Sequence, residues 1–153
     1  MENRPEEILE LLRSKNRCLD RLMAETRAFL AVPIEALVSE NAANAGPLSS
    51  YEEARTSIIR TLEFHDRKIS ALIAELPASE KSPEFVAKAR EEMERNERLI
   101  VSVFNADDVV FRKIGDAQNQ IVKLMQENRK SRNLLGKFKS AQGQTGEGMD
   151  TTL

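Results

Sequence analysis

The chain is poor in the residues that fill a thick globular core or cross-link a small one. Its 153 residues include no Trp and one Tyr, and aromatic residues make up 5%. The single cysteine, Cys18, excludes an intrachain disulfide and favours a reducing compartment. No run of about 18 apolar residues occurs, so we expect no membrane span.

Motifs of enzyme and cofactor chemistry are also missing from the sequence. It contains no Gly-rich phosphate loop, no H-E-x-x-H, no paired C-x-x-C and no E-x-x-H repeat of a di-iron bundle. His65 is the only histidine, and a catalytic or metal site would need further groups arranged around it. We therefore expect packing roles for His65 and Cys18, no enzymatic activity, and no cofactor or metal.

The beginning of the sequence can carry targeting signals, and the net charge governs attraction to charged partners. The beginning of the sequence, "MENRPEEILELL", is acidic and has no apolar core of a signal peptide, which predicts a cytoplasmic protein. The net charge of −2 gives no overall attraction to nucleic acid or membrane.

The residues that are abundant indicate helices. Charged residues make up 31% of the chain, and the excess of Ala, Glu, Lys, Leu and Arg is typical of helices with narrow apolar faces. The sequence predicts an all-α fold, an elongated antiparallel three-helix bundle or coiled coil with one long C-terminal helix. Residues 1–139 form its single domain, with helices at about 5–31, 51–76 and 83–139. Residues 140–153 read as a disordered tail.

The first two predicted helices each have one apolar face. In the first, apolar residues recur at three- and four-residue steps: Ile8, Leu11, Leu12, Cys18, Leu19, Leu22, Met23, Phe29 and Leu30. The second is predicted to start at the capping-box pair Ser50 and Glu53 and to stop at Pro77. Its heptad positions are Tyr51, Ile58, His65 and Leu72, with Leu62, Ile69 and Leu76.

The long helix is predicted to run antiparallel to the second, because the link between them is short. Ser82 should cap it, with Pro83 in the first helical position. Two series with a period of seven follow. One is Val86, Met93, Ile100, Asp107, Ile114, Ile121, Asn128 and Leu135; the other is Ala89, Asn96, Val103, Val110, Ala117, Leu124, Ser131 and Phe138.

Two residues of this helix are unusual for their positions. Asp107 lies in an apolar series that should form the seam between packed helices. Either the seam reaches water at this position, or Asp107 is a polar group that fixes the pairing and register of the helices. Gly115 lies at mid-helix, where Gly costs about 1 kcal/mol relative to Ala. It indicates either a close helix–helix approach or a soft point at which the distal half changes angle.

The distal half of the long helix combines apolar and basic residues. Residues 112–139 contain eight Lys or Arg against Asp116 and Glu127, a charge of +6 that leaves −8 for the rest of the chain. An apolar stripe with basic flanks can bind an acidic amphipathic helix, an anionic membrane or nucleic acid. Equally, the stripe can pack on the first helix, which the 31–49 connection would allow to reach it.

Three segments together resemble the flagellar type III export chaperones of the FlgN/FliT kind. They are the opening helix "LLRSKNRCLDRLMAETRAFL", the second helix "SIIRTLEFHDRKISALIAEL", and the end of the long helix, "QNQIVKLMQENRKSRNLLGKFK", with the polar tail "SAQGQTGEGMD". The resemblance covers most of the chain through helix lengths, their order and the Asn/Leu-rich distal segment. The chain departs from FliT-like members in having Phe138 near the distal end where they have Tyr.

The resemblance implies a cytoplasmic chaperone that binds an amphipathic helix of a late flagellar subunit, a hook-associated or cap protein, and prevents premature assembly. It implies contact with the export apparatus as well. Carried onto this chain, the apolar binding residues are Ile121, Leu124, Met125, Leu134, Leu135 and Phe138. Arg129, Lys130, Arg132 and Lys137 would steer the client.

Two other functions remain open at this point. One is a structural coiled coil or scaffold that acts through self-association, including a homodimer. The other is weak nucleic-acid binding through residues 112–139, against which the lack of an aromatic platform and the acidic remainder count. We therefore expect no nucleic-acid partner.

Overall fold

The structure, a computed structural model, describes residues 3–39 and 46–145, with side chains up to residue 140. Four α-helices occupy these ranges: α1 (Arg4–Leu30), α2 (Ile34–Ser39), α3 (Pro47–Glu75) and α4 (Pro83–Thr145). A short 3-10 turn at Ala78–Glu80 precedes α4. The predicted all-α fold with one long C-terminal helix is confirmed. Among the described helices, none is long and apolar enough to cross a membrane.

The helix starts follow from local capping, with one correction. The side chain of Asn3 accepts a hydrogen bond from the Glu6 amide at 3.2 Å, and Ser82 Oγ accepts one from the Phe85 amide at 3.1 Å, as predicted for Ser82. The predicted start of α3 at Ser50 is wrong. Gly46 is the N-cap and Pro47 the first helical residue, because the fixed φ of Pro already suits the first turn.

α1 is the central helix of the bundle. It packs along both α3 and α4, whereas α3 and α4 do not form a close pair with each other. Phe29 near the end of α1 stacks on Tyr51 near the start of α3, at 4.7 Å between ring centroids, so these two helices are antiparallel. Asn16 of α1 is hydrogen-bonded to Glu92 of α4, and further along both helices Lys113 of α4 is hydrogen-bonded to the Phe29 carbonyl oxygen of α1, so α1 and α4 run parallel. α3 and α4 are therefore antiparallel, as predicted, but α1 is the helix along which α4 packs.

The core consists of three apolar layers that succeed one another along α1. The first contains Ile8, Leu12, Ile69 and Leu76, with Phe85 and Ala89 against it. The second contains Leu19, Leu22, Ile58 and Val103. The third contains Phe29, Tyr51 and Val110, with Leu37 of α2 and Ile114 packed on it. Each layer thus takes side chains from all three long helices.

α4 continues well past the last layer. Up to Ser140, where the described side chains end, Ala117 is the last buried residue of α4, and every side chain from Val122 onward is exposed. At about 1.5 Å per residue, the exposed stretch from Val122 to Ser140 is roughly 27 Å long, and no other described element covers it. α1 ends at Leu30, beside the third layer, and does not reach this segment. We call residues 122–145 the distal segment.

The end predicted for α4, at about residue 139, is too early, because the helix continues to Thr145. Residues 146–153 of the predicted disordered tail lie outside the described residues. Gly115 is not at a close helix–helix approach, since a Cβ built there would meet no atom within 4 Å. The interpretation of Gly115 as a soft point stays a prediction.

Candidate partner-binding site

The residues predicted to bind a partner lie at the end of the bundle and on the distal segment. We call this set the distal surface: Ile121, Leu124, Met125, Arg129, Lys130, Arg132, Leu134, Leu135, Lys137 and Phe138. Ile121 is half-buried, and the other nine are exposed. The exposed fraction is 63% for Met125, 67% for Leu134 and 60% for Phe138. Large apolar side chains this exposed, next to one another in sequence, are typical of an interaction surface.

The apolar part of this surface continues the buried row of α4. With 3.6 residues per turn, Ile121, Leu124 and Leu135 follow the face that Val110 and Ala117 turn to the bundle core. Leu134 and Met125 flank that row on opposite sides, so the apolar residues cover about half the circumference of the helix. The described residues form no groove here, because a single helix offers a convex surface. A partner would have to wrap this surface or pair with it.

Arg129 and Lys130 lie on opposite sides of the apolar half of the helix, whereas Arg132 lies within it and Lys137 on the far face. Arg129, Lys130, Arg132 and Lys137 are all exposed. None of them takes part in an ion pair within the described part of the chain. Their positive charge is therefore available to an acidic partner.

Lys113 belongs to the basic segment in sequence but has a structural role. Its Nζ donates hydrogen bonds to the carbonyl oxygens of Phe29 at 3.1 Å and Leu30 at 2.9 Å, and also to that of Val32. These carbonyls belong to the last turn of α1 and the residues after it, and that of Phe29 also accepts a hydrogen bond from the Val32 amide at 3.1 Å. Partial burial lowers the pKa of Lys113. Lys113 thus ties the end of α1 to α4 just before the distal segment begins.

Asp107 has a partner inside the bundle. Arg55 of α3 donates to its two carboxylate oxygens at 2.7 and 2.9 Å, in a bidentate pair. The same guanidinium lies 3.4 Å from the Tyr51 hydroxyl, which is 3.2 Å from Thr26 Oγ1 of α1. Asp107 is therefore a polar seam residue that joins α4 to α3, as one of its two interpretations predicted, and its side chain remains 17% exposed.

A second polar cluster joins α1 and α4. Asn16 is 1% exposed, and its Nδ2 donates to the Glu92 carbonyl oxygen at 3.0 Å and to Glu92 Oε2 at 2.8 Å. Asn96 Nδ2 donates to Asn16 Oδ1 at 3.1 Å. The sequence reasoning identified Asn96 as a seam residue but missed Asn16. Its spacing could have revealed it, because Asn16 lies four residues after Leu12 and three before Leu19, which are buried on the same face.

His65 and Cys18 lie apart from the distal surface. His65 Nδ1 is buried without a hydrogen-bond partner among the described residues, and its ring centroid lies 6.2 Å from that of Phe64. Cys18 packs against the second core layer. Within the described ranges, no three His, Cys, Asp or Glu side chains are grouped so that they could hold a metal ion.

Comparison of the chain with models of protein families, with curated proteins and with solved structures gives no match. A functional assignment therefore rests on the geometry of α4 and on the sequence resemblance described above.

Proposed function

We propose that the protein is a cytoplasmic export chaperone and not an enzyme. It binds an amphipathic helix of a late flagellar subunit, a hook-associated or cap protein, on the distal surface and so prevents premature assembly. The observation that supports this most is that α4 continues its apolar row beyond the end of α1, where no other described element covers it.

The distal surface is suited to an amphipathic helix because it is an incomplete part of a bundle. In the three core layers, the apolar row of α4 is covered by α1, with α3 beside it. Beyond Ile121 the row persists while both partners are missing. A client helix that takes the place of α1 would extend the bundle with the same kind of packing.

The energy available is enough for a reversible complex. A client helix that buries about 600 Å² of apolar surface gains a gross ~15 kcal/mol at ~25 cal/mol per Å². Ordering of the client and loss of its free motion offset most of that gain. The mechanism is mass action: while the apolar face of the client is covered, it cannot self-assemble.

The basic flanks define the client further. Four unpaired cations around the apolar row favour a helix with acidic residues beside its apolar face. Because these cations are exposed, they raise the association rate more than the final affinity, and salt weakens their effect.

The test is binding of the purified chain to C-terminal helices of late flagellar subunits from the same genome, at low and moderate salt. The double variant Leu134→Asp/Leu135→Asp should abolish binding, since it places one carboxylate in the apolar row and a second one on its flank. Phe64→Asp is the matched control, because Phe64 is 55% exposed on α3, away from the distal segment. Loss of binding in the double variant alone supports the proposal.

One observation favours a second candidate, a structural coiled coil. An uncovered apolar row can pair with the same row of another copy instead of a client. If no subunit binds and Leu134→Asp/Leu135→Asp dissolves an oligomer, self-association through the distal surface is the function and the chaperone proposal fails.

A further inference from the structure

A second apolar surface runs along α4 beside the bundle, separate from the core face. Its residues, which we call the lateral stripe, are Val86, Met93, Val101, Phe104, Phe111 and Val122. Their exposed fractions run from 40% for Val86 to 72% for Phe111. With 3.6 residues per turn they lie within about 80° of one another, roughly a third of a turn from the buried row. Nothing described in this chain covers them.

We propose that the lateral stripe is the interface of a homodimer in which two α4 helices pair antiparallel, with the two-fold axis near residue 103. This proposal does not rest on the chaperone function. It depends on the arrangement of apolar and charged residues about that one position.

The apolar residues are arranged almost symmetrically about the proposed axis. Val86 and Val122 have their midpoint at position 104, Met93 and Phe111 at 102, and Val101 and Phe104 at 102.5. An antiparallel pairing about residue 103 therefore places Phe104 and Val101 of both copies around the axis. It places Met93 opposite Phe111 and Val86 opposite Val122.

The charges beside the stripe obey the same symmetry with opposite sign. Three pairs have their midpoint at position 103: Arg90 with Asp116, Glu94 with Arg112, and Arg98 with Asp108. All six residues are exposed. None forms an ion pair within the described part of the chain. In the antiparallel dimer each lies at the same height along the axis as an opposite charge of the second copy, and Glu94 and Arg112 also share one angular position beside the stripe.

Alternation of charge along a solvated helix explains only part of this pattern. Opposite charges four residues apart stabilise an isolated helix, which accounts for the alternating signs before the axis, at residues 90, 94 and 98, and after it, at residues 108, 112 and 116. This effect does not require that the signs after the axis are the inverse of the signs before it. That inversion is what a surface needs to be complementary to itself. A parallel dimer would instead place Arg98 against Arg98.

One contact opposes the dimer and is useful for testing it. Glu97 lies within the stripe, at about 1.5 Å in height from Asp108 of the second copy. Replacing it by Glu97→Gln should therefore tighten the dimer.

Light scattering and sedimentation velocity of the full chain test the proposal directly. We expect a concentration-dependent dimer that Arg98→Glu weakens about tenfold or more, because two attractive pairs become repulsive. Adding Asp108→Arg to that variant should restore the dimer. Arg67→Glu, an exposed charge on α3, is the control.

Disulfide cross-linking in a Cys18→Ser background tests the direction of pairing. Met93→Cys combined with Phe111→Cys should give a cross-linked dimer, since these positions face each other. Met93→Cys alone should not, because the two thiols would lie about 30 Å apart along the axis.

Several results would overturn the proposal. They are a monomer at up to about 0.1 mM, a dimer indifferent to Arg98→Glu, no restoration by the second charge reversal, or cross-linking by Met93→Cys alone. A dimer lost only in Leu134→Asp/Leu135→Asp would place self-association on the distal surface instead. Client binding that survives Arg98→Glu separates this proposal from the chaperone function.

Discussion

The Arg55–Asp107 pair is the residue contact on which the position of α3 relative to α4 most depends. The two helices do not pack closely, and this ion pair joins them directly. Its side chains are only 29% and 17% exposed. Loss of one partner leaves a poorly solvated charge, which is costly, whereas loss of both need not be.

Asp107→Ala should therefore lower the free energy of unfolding by about 1–3 kcal/mol, discounted for the remaining exposure. The double variant Arg55→Met/Asp107→Leu should recover most of that loss. Urea denaturation followed by circular dichroism measures both, with the exposed Glu91→Ala as a control that changes stability by less than about 0.5 kcal/mol. A double variant as unstable as Asp107→Ala would contradict this account.

Lys113 holds the end of α1 through three carbonyl oxygens, so its removal should act locally. Lys113→Met keeps most of the aliphatic stem and loses the hydrogen bonds, which should cost about 1–2 kcal/mol. Hydrogen exchange should show faster opening in α2 and the last turn of α1, but not around Ile8. Lys123→Met, on the exposed part of α4, should leave exchange unchanged.

At the scale of the element, α4 is an uninterrupted helix through Gly115. Since an added Cβ would meet no atom within 4 Å, Gly115→Ala should raise the free energy of unfolding by about 0.5–1 kcal/mol. Gly115→Pro should lower it by about 3 kcal/mol or more, because it removes a helical hydrogen bond. Urea denaturation of the two variants provides the measurement. A loss of stability in Gly115→Ala would mean that the glycine is needed for a bend.

The predicted apolar patterns located much of each helix face but not the helix that covers it. In α4, Val103, Val110 and Ala117 of one predicted series are buried, whereas Val86 and Met93 of the other are exposed. In α1, the buried face also contains Asn16 and Thr26. α1 packs against two helices, so its buried face is wider than its apolar stripe. Periodicity reports a face, but the choice between neighbours depends on contacts that are distant in sequence.

The distal surface is a second case in which the sequence predicts a helix face but not whether another helix covers it. Its residues could be chosen from sequence because an apolar row with basic flanks is a local property. Whether α1 covers that row could not be predicted from sequence, since the 31–49 connection permits either arrangement. In the structure α1 ends at Leu30, beside Lys113 and the third core layer, and leaves the row beyond it uncovered.

At the scale of the whole molecule, the bundle and the distal segment should be separable in stability. Truncation after residue 120 removes only the half-buried Ile121 and exposed side chains among those described, so the free energy of unfolding in urea should stay within about 0.5 kcal/mol of the full chain. Truncation after residue 108 removes Val110, Lys113 and Ala117, and should lower stability by several kcal/mol. Equal effects of the two truncations would show that the distal segment contributes to the core.

The length of α4 also affects how the molecule moves through solution. Its 63 residues form a helix about 95 Å long. That length is several times the radius of gyration of a compact chain of this size, which is near 15 Å. Such an anisotropic particle experiences more friction than a sphere of equal mass, so a monomer should leave a gel-filtration column early and resemble a globular dimer. Its tumbling should be slow about the short axes and fast about the long one, which fluorescence anisotropy decay would resolve as two correlation times.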